Sequence, residues 1–120
     1  MSLTSKQFQK YLDRDKRCYH CGSTDNTLIP QHRINRGMGG SKKLDTPSNI
    51  IVFCSMANGL IESSSAQADL AKKYGWKLER WQDTLSEPVF DLASGLWFVL
   101  DNTYNRIAYE EKNADNQRQA

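Results

Sequence analysis

Apolar and polar positions change their period several times along the chain. Between residues 4 and 16, Phe8, Tyr11 and Leu12 recur at i, i+3 and i+4 behind Thr4, a competent N-cap, which predicts a short amphipathic helix. Lys6, Lys10, Arg14, Lys16 and Arg17 decorate its other positions. Cys18-Tyr-His-Cys21-Gly22 then reads as a tight knuckle, and Ser23 to Asn26 are turn formers. Leu28 to Ile34 reads as a strand that Pro30 confines to an edge or to its first residues. From Arg36 to Lys43 glycine is too frequent for regular structure, and Asp45, Pro47 and Ser48 prolong the loop. Asn49 to Cys54 is a β-branched strand. Ser55 to Ser63 continues as a helix weakened by Gly59. A second helix start at Ser63-Ser-Ser65 leads into Ala66, Leu70 and Tyr74, spaced by four, before Gly75 stops it. Short alternating runs at 88–92 and 96–100, separated by Ala93-Ser94-Gly95, predict a hairpin with a third strand near 106–109. Residues 110–120 are polar without an apolar pattern and read as a frayed tail.

The sum is an α+β chain. At 120 residues and 38% hydrophobic content it supports one domain with a modest core. Its parts are a core at 18–63, a helix and antiparallel β-hairpin extension at 64–109, and a tail at 110–120. No stretch approaches the roughly 18 uninterrupted apolar residues of a membrane span, and Met1 to Lys6 lacks the apolar run of a secretion signal. The expectation is a soluble, cytoplasmic protein with no membrane partner. Three cysteines are an odd number, and the Cys18-x-x-Cys21 step suits a metal knuckle in a reducing compartment better than a disulfide framework. The net charge of +2 conceals an asymmetry. Residues 1–43 hold nine Lys/Arg against three Asp, whereas residues 44–120 hold seven against eleven acids, which predicts a basic face for phosphates.

Cys18-x-x-Cys21, Gln31-His32-Arg33, Gly39-Gly40, Asn49 to Cys54, and Asn58 with Glu62 follow one another in an order and spacing that resembles the HNH nuclease family, in a His-Asn-Asn variant. Small stand-alone members of that family are typical of phage and prophage genomes. The resemblance implies a ββα-metal core and a metal-dependent DNA endonuclease. It further implies His32 as general base on a water, which suits an imidazole whose ordinary pKa lies near neutrality. Asn49 matches the asparagine that holds the loop and thereby orients the histidine, and Asn58 stands where the final histidine of the family name belongs. Gln31, Asn58 and Glu62 occupy the metal-ligand places, Asn58 and Glu62 sharing a helix face at i, i+4. Their oxygen donors favour Mg²⁺ or Mn²⁺.

Structural zinc is a separate matter. Many family members use four cysteines, and here the second Cys-x-x-Cys step reads Cys54-Ser-Met-Ala57. Either another residue such as His20 completes a site with Cys18, Cys21 and Cys54, or the thiols sit as small hydrophobes in an apolar cluster; ligand count weighs against zinc. Arg33, Arg36, Lys42 and Lys43 are the candidate DNA contacts, with Gly37, Gly39 and Gly40 allowing close backbone approach to phosphate. Trp76, Trp81, Phe90, Trp97 and Phe98 lie in alternating runs and are expected in the core. The C-terminal half is also a candidate docking surface for a protein partner. The competing function is an HNH-derived DNA- or protein-binding protein without catalysis, with Gln31 and Ala57 as its evidence.

Overall fold

The computed structural model describes residues 3–35 and 44–113. Helix α1 (Ser5–Asp15) opens on a complete capping box, the Thr4 side chain accepting from the Gln7 amide while Gln7 returns a bond to the Thr4 amide. Its apolar stripe of Phe8, Tyr11 and Leu12 packs on Ile50 and Val52. Arg14, one of the expected surface cations, instead turns inward. It pairs with Asp15 at 2.7 Å and donates to the carbonyls of Pro47 and Ile50.

Strands β1 (Leu28–His32) and β2 (Ile50–Cys54) form an antiparallel ribbon in which Leu28 faces Cys54 and His32 faces Ile50. A two-stranded ribbon leaves one side of each strand open, so Pro30 fits without costing a ladder bond. All five residues of β2 are buried, because both of its faces are covered. Ile50 and Val52 meet α1, while Ile51 and Phe53 enter the main core with Ala57, Ile61, Ala71, Trp76, Val89, Phe98 and Leu100.

Helix α2 (Ser55–Ser63) follows β2 without a linker, capped by Cys54, and Ser64 caps α3 (Ser65–Lys73). The stop at Gly75 has a steric cause beyond its φ of +73°, since a Cβ there would lie 2.1 Å from the Pro88 carbonyl oxygen. A second antiparallel sheet, β3 (Val89–Asp91), β4 (Leu96–Leu100) and β5 (Arg106–Ala108), pairs in chain order. Trp76 is fixed to it by an indole N–H donated to the Phe90 carbonyl at 2.7 Å. Residues 110–113, expected to fray, instead make a helical turn, and the buried Asn113 side chain exchanges two hydrogen bonds with the Trp97 backbone; the rest of the expected tail, 114–120, lies outside the described residues. Among the described residues no helix is long and apolar enough to cross a membrane.

Candidate functional site

His32 is the last residue of β1, and the loop that follows is closed by one side chain. Asn49, fully buried, accepts from the Ile34 amide at 2.8 Å and donates to the carbonyls of Ile34 (3.1 Å) and Leu44 (2.9 Å). Its backbone carbonyl also accepts from the Arg33 amide at 2.7 Å. An amide suits this position because it donates and accepts simultaneously. Beyond the pinned segment comes Asp45, whose Oδ1 lies 2.7 Å from His32 Nε2, both side chains being mostly buried. A carboxylate can only accept, so this bond favours the tautomer with its proton on Nε2, in which a neutral ring keeps a lone pair on Nδ1. Asp45 was legible in the sequence only as a loop acid; its partnership with His32 depends on closure by Asn49.

The three metal-ligand candidates sit on the other side of the ribbon. Side chains alternate along a strand, so Gln31 shares the α2-facing side with Ile51 while His32 shares the α1-facing side with Ile50. Gln31 is buried, and neither atom of its amide has a hydrogen-bond partner among the described residues. An orphaned, buried amide oxygen beside α2 is a fitting ligand atom for a hard cation. Asn58 and Glu62 lie one turn apart on α2, outside its buried Ala57–Ile61 stripe. Glu62 is reached by Lys77 at 3.9 Å, and the same ammonium donates to the His32 carbonyl (3.3 Å) and to Asn35 Oδ1 (2.8 Å). Lys77 therefore ties the candidate base's backbone to the candidate carboxylate. Burial draws its pKa down, opposed by Glu62. No sequence pattern marked it, because its three oxygen partners come from two segments distant from it in the chain, 32–35 and Glu62.

Two expectations are corrected. Arg33 does not face solvent: it is 0% exposed, and its guanidinium donates to the carbonyls of Gly75, Ser48, Thr84, Glu87 and Pro88. Desolvation pulls its pKa down to about 10, which still leaves it charged at neutrality. It is a buried knot between β1 and the 75–88 segment, unable to contact phosphate. Trp81 is not in the core; it is 82% exposed, whereas Trp76, Trp97 and Phe98 are buried and Phe90 is half-buried, as expected. Arg36, Lys42 and Lys43, with Gly37, Gly39 and Gly40, lie outside the described residues.

The knuckle brings Cys18, Cys21 and Cys54 together, their sulfurs all within 4.8 Å of one another. They form the only such cluster of three or more His, Cys, Asp or Glu side chains among the described residues. Cys18 Sγ accepts from the amides of His20 and Cys54, and Cys54 Sγ from that of Ala57. Amide hydrogen bonds of this kind favour thiolates. Burial dominates at Cys18 and pushes its thiol up to about 12. At Cys21 burial also opposes ionisation, but hydrogen bonds from Ser23 and the neighbouring thiols outweigh it and hold the pKa below the ordinary value. Cys21 is exposed, so it is not a buried hydrophobe. His20 does not complete the cluster. Its Nε2 lies 3.2 Å from Gln67 Oε1, and its ring packs against Phe53 and Trp76. Three soft donors close enough for one ion, with bonds of about 2.3 Å for zinc, are compatible with a metal one ligand short of a closed tetrahedral site.

No protein-family model, curated protein or solved structure matches the chain. The chemistry on offer is thus an imidazole held by a carboxylate at a ribbon end, a buried amide at Gln31 on the opposite face of the strand, and a separate three-thiol cluster.

Proposed function

We propose that the chain is a metal-dependent DNA endonuclease built on a ββα-metal core of HNH type, with β1, β2 and α2 as that core. The observation that carries the reading is the His32–Asp45 pair at the end of β1, held by a loop whose two ends Asn49 closes. A histidine bound on Nε2 by a carboxylate, with Nδ1 left over, is equipped to take a proton from a water that attacks phosphorus. Asp45 keeps the ring in place and stabilises the imidazolium that results, and Asn49 holds the loop on which Asp45 depends.

Gln31, Asn58 and Glu62 would hold Mg²⁺ or Mn²⁺, which when bound supplies positive charge for the phosphate and the leaving oxygen. Because His32 and this set lie on opposite faces of β1, the phosphodiester must reach both at the strand's end, where Lys77 joins the His32 carbonyl to Glu62. Arg36, Lys42 and Lys43 remain the proposed phosphate contacts, and host cytoplasm the proposed compartment for a phage-encoded enzyme with free thiols. Zn²⁺ on Cys18, Cys21 and Cys54 would brace the knuckle. The test is supercoiled plasmid incubated with Mg²⁺, Mn²⁺ or EDTA: relaxed or linear product with metal and none with EDTA is expected, and intact plasmid in every metal overturns the reading.

A second reading, an HNH-derived binding protein without catalysis, is favoured by one observation. The converging group of His, Cys, Asp and Glu side chains among the described residues contains cysteines and no carboxylate. DNA binding without cleavage in that same assay would select it.

A further inference from the structure

Trp81 stands on a short turn closed by reciprocal bonds, the Glu79 amide donating to the Gln82 side chain at 2.7 Å and the Gln82 amide to the Glu79 carbonyl at 3.0 Å. That turn is fixed to the end of β1, because the Leu78 amide donates to the Arg33 carbonyl at 2.8 Å and Lys77 to that of His32. An indole left 82% exposed on an anchored turn is not the residue of a loose loop. It borders a cavity of about 410 Å³ lined by Ile34, Asn35, Leu78, Glu79, Arg80 and Trp81. The cavity thus begins two residues beyond His32.

We propose that Trp81 and Arg80 form a platform on which an unpaired nucleobase of the DNA substrate stacks beside the His32 end of the ribbon. The inference rests on the nuclease reading and names the form of DNA it takes. Three features select a nucleobase. An exposed aromatic face stacks on any base, and a guanidinium at its side serves the adjoining phosphate. Arg80 is exposed and has no ion pair among the described residues, while the charge of neighbouring Glu79 is offset by Lys72 at 3.6 Å. In the sequence the stretch from Arg36 to Leu44 holds three cations, Arg36, Lys42 and Lys43, and no acid, a charge balance that suits a polyanion. Within an intact duplex both faces of every base are covered by stacking. The platform therefore selects single-stranded or locally opened DNA.

Trp81 is the most exposed of the three tryptophans, so its fluorescence reports directly on the platform. The experiment follows tryptophan quenching in wild type and, for affinities, the anisotropy of a dye-labelled oligothymidylate and a dye-labelled closed hairpin duplex titrated with the full chain, for wild type, Trp81→Leu, Trp81→Phe and, as a control away from the platform, Ile107→Ala. Quenching of wild type by the oligothymidylate is expected, with about tenfold weaker binding in Trp81→Leu, in the range that stacking of one base gives. Trp81→Phe recovers most of the affinity and Ile107→Ala keeps all of it. Equal oligothymidylate affinity in wild type and Trp81→Leu overturns the platform, and the nuclease reading survives if wild type cuts plasmid. Wild type that binds neither DNA and leaves plasmid intact overturns both. Self-association of wild type that Trp81→Leu abolishes, without quenching by DNA, makes Trp81 a protein contact and also overturns the proposal.

Discussion

Replacing Arg33 with methionine keeps most of the side chain's apolar volume and removes the guanidinium. Five backbone carbonyls lose a donor, three of them held at 3.0 Å or closer: Gly75 and Glu87 at 2.8 Å and Ser48 at 3.0 Å. Each buried carbonyl left unpaired costs about 1–3 kcal/mol. Against that stands relief of the guanidinium's desolvation, itself several kcal/mol, which is why burial lowers its pKa. The three short bonds alone bring the loss to roughly 3–9 kcal/mol, and the relief reduces it to about 1–5 kcal/mol. A domain of this size has about 5–15 kcal/mol in total, so Arg33→Met should lower the melting temperature by about 5–25 °C. Urea unfolding followed by circular dichroism measures this directly. Arg33→Lys should fall between, because one ammonium cannot span carbonyls contributed by residues 48, 75 and 87. A loss below about 1 kcal/mol, or a fall in DNA affinity with stability unchanged, would refute the buried-knot assignment and return Arg33 to the surface.

The remaining predictions concern the backbone and the cysteines. Gly75→Ala forces a Cβ against the Pro88 carbonyl at positive φ and should cost about 1–3 kcal/mol, read as a lower urea midpoint; an unchanged midpoint would show that the turn relaxes freely. In chelator-treated protein Cys21, held below the ordinary thiol pKa, should be alkylated by iodoacetamide at neutral pH faster than a free cysteine. Cys18, pushed up to about 12, should stay protonated and unmodified until the protein unfolds. Mass spectrometry across a pH series checks the order, and faster labelling of Cys18 would contradict it. Ala57→Cys places a thiol at the missing fourth corner; structural zinc affinities of about 10–16 kcal/mol divide into about 2.5–4 kcal/mol per ligand, so zinc binding should tighten about a hundredfold. Competition with a chromophoric chelator measures it, and equal affinity would place Ala57 away from the ion.

The elements were legible where local pattern decides them. Ile50 to Cys54 is apolar on both faces and became a strand covered on both faces; Leu96 to Leu100 and its turn at Gly95 became a hairpin arm. What escaped the sequence are partnerships with backbone atoms and between distant segments. A lone Arg33 among basic neighbours resembles a surface cation, since nothing in residue types reveals five carbonyls converging from 48 to 88. Trp81 resembles its core relatives Trp76 and Trp97 because alternation is weak over a turn-rich stretch. Asp45 and Lys77 gained their places only through loop closure by Asn49 and the return of the chain past β1. Asn113 holds the Trp97 backbone from a segment whose polarity alone suggested fraying.

In the proposed reaction His32 performs the proton transfer. The direct measurement compares plasmid cleavage by wild type and His32→Ala under saturating Mg²⁺, with thermal melting of both proteins run alongside. General-base loss predicts a rate lower by about 10²–10⁴-fold. The melting curve should shift little, since His32 is partly exposed and among the described residues its side chain bonds to Asp45 alone. Undiminished cleavage by a folded His32→Ala protein would exclude His32 as the general base.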